Sequence, residues 1–167
     1  MTIVHEEVQR LSPLVRRITA NNPGVFTGSG TNTYLLGQDE VTVIDPGPAV
    51  EKHCEAIIRA AEKITKIIVT HTHLDHSPGA RILGDKLDVP IYGMVAKNAH
   101  QDTSFKPTAS LKDGEVIETP EFRLTVLHTP GHASNHFCFI LENEGMLFSG
   151  DHIMDGSTVV IRPPDGN

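Results

Sequence analysis

Four residues able to bind a metal lie within one six-residue stretch, His71-Thr72-His73-Leu74-Asp75-His76, directly after the apolar run KIIVT at 66–70. A β-branched run this short reads as a buried strand. Polar side chains left unpaired at its exit would cost free energy, and metal coordination removes that cost. Solvated loop histidines are the plainer reading, but they make poor filler immediately behind a buried strand. In extended chain the imidazoles of His71 and His73 point the same way, so they can grip one ion. Asp75 and His76 follow where the chain turns towards Ser77-Pro78-Gly79, which aims them at a second position. Zinc accepts imidazole and carboxylate in open sites, and paired metals ~3.5–4 Å apart can share a hydroxide.

The flanking patterns place this cluster in an α/β framework. Short β-rich runs at 14–20, 33–36 and 41–44 are separated by the turn clusters NNPG, GSG and GQDE, which reads as an antiparallel meander. After Asp45-Pro46-Gly47-Pro48, apolar residues at three- and four-residue spacing predict an amphipathic helix over 49–64. Ser77 as N-cap and Pro78 as first helical residue predict a second helix through Leu87, and PIYG at 90–93 reads as another strand. From Glu115 onward hairpins dominate: EVIET and FRLTVLHT flank Pro120-Glu121, and FCFILEN and MLFSGD flank Glu144-Gly145. Strands with helices outside, in one domain spanning 1–167, argue for a layered α/β sandwich.

Two later segments repeat the context of a polar residue at a strand exit followed by a turn. His132 lies in His128-Thr129-Pro130-Gly131-His132, and Asp151 closes Leu147-Phe148-Ser149-Gly150-Asp151. Alone, each has an ordinary explanation as a loop histidine or a helix cap. Together with the first cluster they complete a ligand set.

The succession THTHLDH, TPGH and FSGD resembles the metallo-β-lactamase superfamily, whose H-x-H-x-D-H signature is highly specific. NPGVFTGSGTNTYLLG, VIDPGP, LKDGEVIET and GSTVVIRPPDG are similar to the β-lactamase-like protein 2 group within it, with glyoxalase II a more distant relative. The resemblance implies a four-layer αββα sandwich with the metals at the sheet edge. It implies that His71, His73 and His132 hold a first metal, that Asp75 and His76 hold a second, and that Asp151 bridges both. Zinc, two ions per complete site, is the expected cofactor, with manganese or iron as alternatives that ligand types do not separate. The implied chemistry is hydrolysis of an ester, thioester or phosphodiester bond by a metal-bound hydroxide, RNA included. Asp75 is the candidate for orienting that hydroxide; His136, Asn32 and Tyr34 are candidates for substrate contact, His136 equally for a supporting hydrogen bond.

The superfamily supplies one more histidine from a Gly-His turn well downstream of FSGD, and the sequence reaches Asn167 without it. The resemblance therefore covers about two-thirds of a typical catalytic domain. Truncation in a loop at RPPDGN is the favoured explanation, which predicts an incomplete sandwich with self-association through exposed apolar surface. A water-completed second site and completion by another chain are the alternatives. A truncated metal-binding protein without activity is accordingly the rival function. A di-iron redox enzyme is disfavoured because no flavin-binding segment accompanies the cluster.

Composition narrows the partners. A formal net charge of -7, with both signs interspersed, gives no basic stripe for a broad nucleic-acid face, although two dications would offset about half of it. A short single-stranded RNA bound through the metals, or a small ester or thioester, fits better. Cys54 and Cys138 form no closely spaced pair, and no run approaches the ~20 apolar residues of a membrane helix. Two free thiols and no leader pattern favour a cytoplasmic protein that does not engage membranes.

Overall fold

The computed structural model describes residues 3–97 and 101–167. Seven strands form a mixed sheet in chain order: β1 (Val8–Arg10), β2 (Val15–Thr19), β3 (Asn32–Leu36), β4 (Val41–Ile44), β5 (Ile64–Ile68), β6 (Ile91–Gly93) and β7 (Ala109–Ser110). The first four strands pair antiparallel and the last four parallel. Helices α1 (Glu51–Arg59) and α2 (Pro78–Leu87) supply the crossovers that the β4–β5 and β5–β6 parallel pairs require. A second, antiparallel sheet contains β8 (Val116–Glu118), β9 (Arg123–His128), β10 (Phe137–Leu141) and β11 (Met146–Phe148), in the order β11-β10-β9-β8.

Two apolar cores join these parts. Cys54, Ala56, Ile57, Ala80 and Leu83 of the helices pack on Ile18, Leu35, Val43, Ile67 and Ile91 of the first sheet. On its other face Val15, Leu36, Ile44 and Ile68 meet Leu124, Val126, Phe137, Phe139 and Leu141 of the second. All four residues of β4 are buried, as expected of a strand covered on both faces. The layers are thus helix, sheet, sheet. The fourth, helical layer is not formed by the described residues, and Leu147, paired with Ile140 on the outward side of the second sheet, stays 46% exposed. No described helix is long and apolar enough to cross a membrane.

Several boundaries shift from the sequence expectations for physical reasons. The helix predicted to Ile64 stops at Arg59, because Val41 N–H bonds the Lys63 carbonyl at 2.9 Å and Val41 pairs with Ile64 to open the parallel ladder. Ile58, Ala61 and Ile64 keep helical spacing only because the turn also packs on the first core. Ser77 occupies the N-cap of α2 without capping it; its hydroxyl donates to Asp102 at 2.8 Å. β1 and β7 have no counterpart in the sequence expectations, and they span only three and two residues. Glu121 locks the two sheets together by accepting the N–H groups of Gln38, Asp39 and Glu40 at 2.7, 3.1 and 3.0 Å.

Candidate metal centre

The carboxyl ends of β5, β9 and β11 open onto one edge of the sandwich, and each delivers part of the site. His71, His73, Asp75 and His76 follow β5, His132 follows β9, and Asp151 sits in a short 3-10 turn after β11. The sheets are stitched together there by Phe137 N–H donating to the Thr70 carbonyl at 2.8 Å.

Ligand atoms converge in two groups, His71-His73-His132 and His71-His76-Asp151, each within 4.8 Å. His71 belongs to both. Asp151 spans them, its two carboxylate oxygens 3.3 Å from His76 Nε2 and 3.4 Å from His132 Nε2. Asp75 joins neither group; its carboxylate lies 3.3 Å from His76 Nε2 and accepts a hydrogen bond from Thr31 Oγ1 at 3.2 Å.

The donor chemistry fits a bound cation. Thr70 Oγ1 donates to Asp45 at 2.7 Å, so its oxygen accepts from His71 Nδ1–H at 3.0 Å. That leaves a lone pair on His71 Nε2, which is buried and has no hydrogen-bond partner. An orphaned buried acceptor needs an explanation, and a metal is one. His76 Nδ1 faces Asp45 at 2.9 Å and His132 Nδ1 faces the Val160 carbonyl at 2.6 Å. In all three rings an oxygen holds Nδ1–H, so the tautomer is set and Nε2 points inward. His132 Nε2 and His73 Nδ1 lie 2.8 Å apart, a separation that one shared proton or one shared cation makes favourable.

The sequence model described as the metallo-beta-lactamase superfamily matches residues 26–167. The chain belongs to that superfamily. An atrochrysone carboxyl ACP thioesterase of Aspergillus chevalieri is 36% identical over 161 residues, covering 92% of this chain and 50% of the relative. One from Cryptosporiopsis sp. (strain 8999) is 31% identical over 162 residues, covering 94% and 49%. The chain therefore spans about half the length of these curated relatives. Among solved structures, a β-lactamase domain protein from Burkholderia ambifaria superposes with a TM-score of 0.79 at 19% identity, covering 96% of this chain and 61% of that one. A metallo-β-lactamase family protein from Thermus thermophilus gives 0.74 at 23% identity, covering 90% and 63%. At these identities the structures attest the metallo-β-lactamase fold.

Electrostatics divide the superfamily's histidines here. Burial drives His71 well below the usual imidazole range, aided by the neighbouring rings of His76, His136, His73 and His132. Burial and His132 lower His73. Burial also opposes charge on His76, yet Asp45, Asp151 and Asp75 outweigh it and raise His76 well above its ordinary value. Against the upward pull of burial, the hydrogen bond and charge of His76 bring Asp75 to about 2 and lower Asp151.

The supporting residues were only partly visible in the sequence. Asp45, which the sequence reading names only as preceding the first helix, is a buried pillar: its carboxylate accepts Thr70 N–H and Oγ1–H, both at 2.7 Å, and holds His76. An aspartate ending an apolar strand before Pro-Gly was the available signal. His136 is wholly buried, and its contacts match the alternative reading of a supporting hydrogen bond. Its Nε2 accepts Asp151 N–H at 3.2 Å and its Nδ1 faces Thr129 Oγ1 at 3.0 Å, while burial, then His132, brings it to about 3. Asn32 accepts from Thr19 Oγ1, and Tyr34 packs edge-on against Phe148 with ring centroids 5.1 Å apart, so their described contacts are structural. Gly150 has φ 48°, and a methyl group there would lie 2.6 Å from His136 Nε2 and 2.9 Å from Thr70 Oγ1. Only glycine lets the chain pass so close and present Asp151.

Proposed function

We propose that the protein is a two-zinc hydrolase acting on a small thioester: His71, His73 and His132 would hold one ion, His76 and Asp75 the other, and Asp151 would serve both. The observation that carries the reading is the partnerless buried His71 Nε2 where two ligand groups meet. Zinc there would lower the pKa of water towards neutrality and stabilise charge developing on the substrate's carbonyl oxygen. The chain's own groups do the rest. Asp45 and the Val160 carbonyl hold Nδ1 protons, keeping Nε2 of His76 and His132 directed inward. Asp75, ionised and 28% exposed, is positioned to accept a hydrogen bond from an attacking water and orient it.

Thioesters are favoured over RNA for two reasons. The relatives described above include proteins named as acyl-carrier thioesterases. Leu74, Ile153 and Val160 also stand exposed on segments that carry or touch the candidate ligands, apolar surface better suited to an acyl group than to phosphates. The test is hydrolysis of a short acyl thioester of N-acetylcysteamine, followed by thiol release. Activity should vanish on dialysis against chelator and return with zinc. Metal bound at full occupancy without thioester turnover would overturn the reading and leave a metal-binding protein without this activity.

A further inference from the structure

We propose that Glu6, His53 and Thr33 form a buried positioning array that sets Asp45 and, through it, the His76 side of the centre. None of the three touches a ligand atom. His53, in the first turn of α1, and Thr33, on β3, are both fully buried. Glu6 Oε2 meets His53 Nδ1 at 2.6 Å, His53 Nε2 meets Thr33 Oγ1 at 2.8 Å, and Thr33 Oγ1 donates to the Asp45 carbonyl at 2.6 Å. Because the Thr33 proton is committed to Asp45, its oxygen accepts from His53, and the Glu6 carboxylate accepts from the opposite nitrogen.

The array ends where the backbone most needs holding. Asp45 is one of three described non-glycine residues with positive φ, at 50°, an uncommon conformation that persists where surroundings over-determine it. Its N–H is tied to the Ile68 carbonyl at 3.0 Å, and Thr33 ties its carbonyl, leaving the carboxylate aimed at Thr70 and His76. The His53 ring also backs the turn itself: a methyl group on Gly47 would lie 3.0 Å from His53 Cδ2. Gly47 N–H in turn donates to the His76 carbonyl at 3.0 Å. Glu6 is anchored separately, its second oxygen accepting Asn21 N–H at 2.9 Å. A buried histidine–carboxylate pair is weak evidence for stability, since apolar residues of similar volume often pack as well. Its direction here, one hydrogen bond after another onto Asp45, assigns it to geometry instead.

This inference takes His71, His76 and Asp151 as a metal group, as proposed above, and its test separates the two claims. In the metal-free 167-residue chain, the ¹⁵N signals of the His76 imidazole report its bond to Asp45. Thr33→Val and Glu6→Gln should both move them, and Thr33→Ser, which keeps the hydroxyl, should restore the wild-type pattern. In cobalt titrations the first two variants should weaken the second equivalent by about 10–100-fold, the scale for residues behind metal ligands, and leave the first unchanged. Unmoved His76 signals in Thr33→Val and Glu6→Gln, with only a lower Tm, would overturn the array. Equal weakening of both equivalents would overturn it too. If wild type took up no second ion while its His76 signals still responded to Thr33→Val, the hydrolase reading would fail and the array would stand.

Discussion

The two ligand groups share His71 but are built on opposite principles. His71-His73-His132 is a set of nitrogens, and burial already disfavours protons on His71 and His73. What it needs is ring orientation, supplied by Thr70 and by the Val160 carbonyl. Around His76 stand three carboxylates, Asp45 behind and Asp75 and Asp151 in front, and against burial they raise its pKa well above the usual imidazole range. Surplus negative charge draws a dication there, and the same charge favours a competing proton on His76. In the first group burial works against protons on His71 and His73, and in the second the carboxylates favour one on His76. Orientation therefore limits metal binding at the first, and charge limits it at the second.

The most disruptive change for both groups is Asp151→Ala, since its two carboxylate oxygens lie against His76 and His132 alike. Metal content by elemental mass spectrometry should fall from about two ions towards none, with thioester hydrolysis down by roughly 10³-fold or more. One ion retained would show that the groups do not depend on a common residue. Next in size, His76→Ala and His73→Ala should each bring about two ions to about one, but at different groups. Cobalt spectra of the two variants should then differ, His76→Ala keeping the nitrogen-rich environment and His73→Ala the carboxylate-rich one; identical spectra would erase the distinction. A smaller effect belongs to Gly150→Ala, whose methyl would press on His136 and Thr70 from a left-handed backbone. The expected loss is about 1–3 kcal/mol, read as a drop in Tm of roughly 2–4 °C per kcal/mol. An unchanged Tm would mean that the turn presenting Asp151 is looser than its contacts indicate.

Why are the candidate ligands legible in sequence when much of their support is not? His71, His73, Asp75, His76, His132 and Asp151 all follow apolar strands, and a polar residue at such an exit announces itself locally. Most strands of both sheets and α2 were likewise readable from alternation, turn residues and Pro78. The end of α1 was not, because Ile64 satisfies helical spacing while pairing in β5. Asp45 defeats local reading for another reason: its importance lies in Thr70 and His76, 25 and 31 residues away in sequence. His136 has the same composition as a ligand and differs only in being sealed behind Asp151. Side chains whose partners come from distant segments carry no periodicity that a single sequence displays.

The closing segment depends on distant partners in the same way, and the effect expected there is the smallest. RPPDGN, expected to be a loop at a chain cut, folds back onto the first ligand group. Asn167 N–H donates to the Gly131 carbonyl at 2.9 Å, beside His132. Asp165 accepts from Ser134 Oγ at 2.6 Å with one oxygen and from Gln101 Nε2 with the other. Gln101 in turn accepts from Thr72 Oγ1 at 2.5 Å, and Asn135 Nδ2 reaches the same hydroxyl at 2.8 Å. Asp165 thereby ties the loop carrying His132 to the residue between His71 and His73. Asp165→Asn offers one acceptor where two are used, so either the Ser134 or the Gln101 bond is lost. Since that network ties the His132 loop to Thr72 beside His73, the first cobalt equivalent should weaken by about tenfold and the second by much less. Equal weakening of both equivalents would show that orientation is shared across the centre, and the contrast between the two groups would then rest on charge alone.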